Sequence, residues 1–281
     1  MSDFRHQIRT GLLIGRLTFL EAVRQRFFPL LLCLGTAQIL SGRFFQQVDF
    51  GASELKFLAD FGLGAVVVFG TILAVAALAQ LFFSELENRT VLTVLARAVH
   101  PLCFLVGKWL GTVALAGVFV VLLTVLLGGT LWQREQALLA QWPPGQSVPP
   151  GLPYADLAVF ALVQIAKLAM TAALTLLVAT LGRTLLFTLV MTALILVIGH
   201  LQYIAADAYT TADAGWLART FAGLIGLVFP NYQVFNLGDL LLQAEGNRPG
   251  WGTILRILGY AGAYTMVFLA AAWALFRRRE L

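Results

Sequence analysis

Of the 281 residues, 59% are hydrophobic and only 12% charged, with a mean hydropathy of +0.85 and a formal net charge of +5. Soluble domains cover their surfaces with roughly 25% charged residues, so this composition excludes an ordinary water-soluble globule and sets the outer surface in hydrocarbon. The basic residues stand at the ends of apolar runs rather than in a stripe interleaved with aromatics. That excludes a nucleic-acid groove and points to topology and anionic head groups.

Residues 4–25 are expected to form an amphipathic helix lying in the interface, the alternative being a helix that simply continues into the first span. Phe4, Ile8, Leu12, Phe19 and Val23 recur at helical spacing, with Arg5, Arg9 and Arg16 along the flank. Arg16 interrupts the apolar run, and no small-residue cleavage site follows, so the segment does not read as a cleavable signal peptide. The first span is expected at 26–44, although its apolar core from Phe27 to Leu40 is shorter than the ~20 residues a crossing needs. The second is placed at 58–83 and the third at 104–132, separated by a polar stretch at 84–103. Proline-glycine runs from Pro143 and Pro149 make 133–156 a loop. The fourth and fifth spans, 157–181 and 184–201, are joined at Gly182-Arg183, and the last covers 252–276.

Between the fifth and last spans, residues 202–250 include an apolar stretch from Trp216 to Phe229 that ends at Pro230-Asn231. Fourteen residues are too few to cross, so this stretch is expected to be re-entrant. With six spans and both termini in the cytoplasm, twelve of the nineteen basic residues fall inside, which satisfies the positive-inside bias. The expected fold is therefore an all-α integral membrane protein with six transmembrane helices, an N-terminal interfacial helix and a re-entrant segment before the last span.

The polar stretch after the second span carries the functional information. It opens with Glu85 and Glu87 and continues through Arg89-Thr90 and the apolar Leu92 and Leu95. It then passes Arg97 to Pro101, just before Gly107-Lys108 enters the third span. A short helix of mixed character between two spans suits docking onto a soluble partner, its apolar face giving affinity and its charges setting register; an ordinary solvated loop is the alternative. In this order of residues the chain resembles the permeases of type-2 ABC exporters. Pro230-Asn231 before the last span and the Phe276-Arg-Arg-Arg-Glu-Leu ending are similar to the same family. The resemblance implies a dimer with a second or related permease copy. It makes 85–100 a coupling helix on an ATPase subunit and Phe229, Pro230 and Asn231 part of an outer gate. It also implies the plasma membrane of a bacterium. The chain departs from the family at Leu102-Cys103, where an Arg often follows the Pro.

No G-x-x-x-x-G-K-[ST] run is present, so ATP and magnesium are expected on a partner chain and no cofactor on this one. Lys167, deep in the fourth span, is a candidate for the translocation pathway, because an ionisable group there is costly unless paired or wetted; a lysine reaching for a membrane face is the bland reading. Gly107 and Gly111, with Ala114, offer a small-residue face for close helix contact. The three histidines assemble no metal set, His200 reading as an interface residue, and no catalytic group is assigned. An intramembrane enzyme acting on lipids or isoprenoids would need a cluster of acids or histidines that the sequence lacks. A passive channel or structural subunit would leave the 85–108 pattern unexplained.

Overall fold

The structure, a computed structural model, describes residues 2–47, 54–87, 100–141, 152–210, 229–237 and 249–278. Among these residues seven α-helices occur and no strand. They are α1 (Ser2–Arg24), α2 (Phe27–Ser41), α3 (Glu54–Glu87), α4 (Pro101–Ala140), α5 (Tyr154–Leu181), α6 (Leu185–Thr210) and α7 (Trp251–Phe276). Short 3-10 turns follow α2, at Gly42–Gln47, and precede α7, at Tyr232–Phe235.

Among the described residues, six stretches of helix are long and apolar enough to cross a membrane: Phe27–Phe44, Glu54–Glu87, Pro101–Ala140, Tyr154–Leu181, Leu185–Gln202 and Trp251–Phe276. The first reaches that length only with the turn that extends α2, since 15 helical residues span about 22 Å of a core roughly 30 Å thick. Helices α3, α4 and α5 form the centre, with 61%, 50% and 61% of their apolar windows buried, against 22% for α2 and α6. The outward faces are apolar as well: Leu186, Val125 and Met266 are each 70% exposed or more. Apolar surface on that scale suits lipid, not water.

Helix α1 is separated from α2 at Gln25-Arg26. Pro29 falls in the first turn of α2 and has no N–H to offer the Gln25 carbonyl, so a continuous helical ladder is broken there. The face α1 buries is not its apolar stripe. Gly11, Gly15, Thr18 and Ala22 are buried, while Leu12 is 59% exposed and Val23 also points outward; the side chains of Phe4, Arg5 and Ile8 lie outside the described residues. The buried side meets α4 at Gly107 and Gly111. A Cβ at Gly107 would sit 2.9 Å from the Gly11 carbonyl oxygen, and one at Gly111 would sit 2.6 Å from that of Gly15. Small residues on both helices are what let the backbones come so close. Ala114, expected on the same face, is exposed.

The loop expected at 133–156 is a correction. Helix α4 continues to Ala140, and α5 begins at Tyr154. Three consecutive polar residues past the apolar run find partners on other elements. Gln133 accepts from Arg43, and Arg134 holds Glu54 through two bonds of 2.6 and 2.9 Å. Glu135 accepts from the Leu152 amide and from the Tyr154 hydroxyl. These ties fasten α3, α4 and α5 together at one end of the bundle.

Candidate functional site

At the opposite end, α3 and α4 flank residues 88–99. Arg89, Thr90, Leu92, Leu95 and Arg97 lie outside the described residues; what the structure describes is the frame that holds them. Glu87 is exposed at the end of α3. Two residues before that end, Glu85 pairs with Lys108 of α4 at 2.5 Å, with the lysine side chain 1% exposed and the glutamate 25%. Glu21 of α1 lies close enough to repel Glu85. Pro101 is the first residue of α4, where a missing N–H costs nothing, and the His100 ring caps the helix by accepting from the Leu102 amide. Phe276 of α7 sits between Phe82 and Phe104, with ring centroids 6.2 and 6.0 Å away. His100 lies against Trp273, whose other neighbour is the Arg277 guanidinium, 5.0 Å from the ring centroid. Three helices are thus joined around the ends of the 88–99 segment by one ion pair and an aromatic cluster.

The second constellation gathers residues that the sequence analysis treated separately. Lys167 stands midway along α5 and is 4% exposed. Its Nζ lies 3.3 Å from Nε2 of His200 on α6 and 5.9 Å from the centre of the Tyr232 ring. The rings of Tyr232 and His200 are stacked 5.2 Å apart at 15°. Lys167, His200 and the segment containing Pro230-Asn231 therefore meet at one place. Tyr232 brings them together, and it is the residue that sequence reasoning missed. It lies two positions past Pro230 in a stretch without helical periodicity, so only its proximity to that proline could have marked it.

Local geometry explains why the segment can seat itself there. Gly199 is required at the contact, since a Cβ would come within 2.7 Å of both the Pro230 carbonyl oxygen and the Tyr232 ring. Pro230 is buried, Phe229 and Asn231 are half-buried, and Asn231 caps the 3-10 turn by accepting from the Gln233 amide at 2.9 Å. Its own amide donates to the Tyr260 hydroxyl of α7 at 2.7 Å. The apolar stretch that precedes, 216–228, lies outside the described residues. Tyr232 is fully buried, its hydroxyl 3.5 Å from that of Thr171, and burial pushes the phenol well above its ordinary pKa. It remains a neutral phenol.

The protonation pattern follows from the partners. Nδ1 of His200 lies 2.8 Å from the Leu196 carbonyl oxygen and so carries the hydrogen. Nε2 of the neutral ring then presents a lone pair to Lys167, and the ammonium is the donor. Directly below on α5, Gln164 is 1% exposed, and its amide nitrogen has no acceptor among the described residues.

The fold class these observations define is a multi-pass helical bundle with an apolar exterior. No family model matches the chain, and no curated protein does either.

Proposed function

We propose that the chain is the permease subunit of an ATP-driven transporter of the type-2 ABC exporter kind, working with a separate ATPase. The observation that carries this reading is the meeting of the two ends of the family-like pattern. Glu85, which opens it, is ion-paired to Lys108, which closes it, so the two spans that flank 88–99 are tied to each other where that segment leaves and rejoins them. A coupling helix needs such a mounting. When the ATPase closes on ATP, a push on 88–99 passes through the Glu85–Lys108 pair and the Phe82, Phe104 and Phe276 cluster. Spans α3, α4 and α7 then move together, a rigid-body change between two arrangements. On this reading the chain itself is not an enzyme, ATP and magnesium belong to the partner, and a second permease copy completes the pathway. The chain sits in a bacterial inner membrane with both termini inside, and 202–250 forms the outer gate.

The test is to purify the chain with the ATPase encoded beside it and measure ATP hydrolysis in nanodiscs. Wild type is compared with a double variant, Glu87→Ala with Arg89→Ala. Co-purification that the double change weakens, or hydrolysis that it uncouples, supports the reading. A complex and a hydrolysis rate that the change leaves untouched, or no associated ATPase at all, would remove its main support and bring the channel reading forward.

A further inference from the structure

The Lys167 nest holds more hydrogen-bond donors than acceptors, in the middle of a membrane-spanning bundle. The ammonium spends one N–H on His200 and has two more. His200 has its Nδ1 hydrogen committed to Leu196, and as the acceptor of the ammonium its ring is neutral and brings no charge. Among the described residues, Glu85–Lys108 and Arg134–Glu54 pair elsewhere, and no carboxylate pairs with Lys167. The Tyr232 ring face gives some electrostatic compensation but accepts no conventional hydrogen bond. Gln164, on the same face of α5 one turn away, is buried with its amide N–H groups unsatisfied. The hydroxyls of Thr171 and Thr175 bond to backbone carbonyls of their own helix and relieve neither group. A single buried positive charge beside an idle buried amide donor lacks an acceptor that carries negative charge.

We infer that Lys167 and Gln164 form a binding site for an anionic group, a phosphate or carboxylate, with Tyr232 as its roof. Such a group supplies acceptors to both side chains at once and neutralises the ammonium, which a water molecule cannot do. Alternating spans place the Tyr232 segment on the side of the bundle opposite 88–99, so the anion reaches the site from that side when the tyrosine lifts away. Seating the ring on His200 and seating an anion on Lys167 are then competing ways of compensating one charge. The site rests on the contacts of this chain alone and stands or falls separately from the permease reading.

The test uses the full chain in phosphatidylcholine nanodiscs without any ATPase, titrated with decyl phosphate, inorganic phosphate or the uncharged decanol. Decyl phosphate is expected to raise the thermal midpoint where decanol does not. Its dissociation constant should weaken at least about tenfold in Lys167→Met, the scale of a lost charge-assisted bond, and less in Lys167→Arg. Protection by inorganic phosphate as well means that a free anion suffices; protection by decyl phosphate alone means that the site takes the head group of an amphiphile. Gln164→Leu separates binding from folding. Its amide nitrogen bonds nothing among the described residues, so the variant should keep its ligand-free midpoint and still bind several-fold more weakly. Equal effects of decanol and decyl phosphate would overturn the inference. So would unchanged affinity in both Lys167→Met and Gln164→Leu, or no response to either anion.

Discussion

Neutralising Glu85 should harm the fold more than removing its partner, and removing both should restore most of the loss. The asymmetry follows from burial. Lys108 is 1% exposed and Glu85 25%, with 2.5 Å between the charged atoms. Glu85→Gln leaves an ammonium enclosed by protein without its carboxylate, which costs about 3 kcal/mol, the lower end for a broken buried pair because the pair is partly wetted. Lys108→Met leaves a carboxylate that water reaches, with Glu21 nearby to repel it, and costs about 1 kcal/mol. With both changes no charge remains to be desolvated, and a methionine fills the lysine's volume, so the double variant should lie within about 1 kcal/mol of wild type. The cycle then yields a coupling of about 3 kcal/mol. Equilibrium unfolding in mixed micelles, followed by tryptophan fluorescence, measures all four proteins. Equal single losses that add within about 0.5 kcal/mol in the double variant would refute the reasoning, because the two charges would then be independently solvated.

Other perturbations test the remaining contacts. Gly111→Val pushes new atoms against the Gly15 carbonyl and Thr18 and should cost about 1–3 kcal/mol in the same unfolding assay, whereas Gly64→Ala, with nothing within 4 Å of its Cβ, should be neutral or stabilise by up to about 1 kcal/mol. Glu135→Leu strips the acceptor from the Leu152 amide and the Tyr154 hydroxyl and should cost about 2 kcal/mol; Glu135→Gln, which keeps an acceptor oxygen, should cost less. Tyr232→Ala removes a fully buried ring and should lower stability by about 3–5 kcal/mol while opening 229–237 to limited proteolysis, whereas Tyr232→Phe keeps the stack and should lose under about 1 kcal/mol, its hydroxyl contact being long at 3.5 Å.

The spans were legible because an apolar run of membrane length leaves few alternatives. Their ends were less so, since a helix stops where polar partners stop it. Nothing local to Gln133-Arg134-Glu135 announces that Arg43, Glu54 and Tyr154 wait for it. The protein-facing side of α1 was not readable from its apolar stripe, for a different reason. In water the apolar stripe of a helix marks its buried side, but in lipid leucines can face outward and small residues face protein, so Gly11 and Gly15 were the signal. Gly107 and Gly111 could be recognised as a contact surface, but their partner could not be named. Lys167 stood out by its charge alone. Its pairing with His200, 33 positions later, needs the register of α5 against α6. Tyr232 arrives from a connection with no period to read.

The bundle is not held equally throughout. The Glu54–Arg134 and Glu135 ties lock three helices at one end, and the Glu85–Lys108 pair with its aromatic neighbours locks three at the other. Helix α6 belongs to neither group. Only 22% of its apolar window is buried, and its described polar ties to the rest of the molecule run through His200, to Lys167 and the Tyr232 stack. Local opening free energies follow buried contact, so α6, like α2, opens at lower cost than α3, α4 and α5. An anion seated on Lys167 acts on α6 in turn, because it competes with the His200 and Tyr232 contacts through which α6 and the returning segment meet a central span.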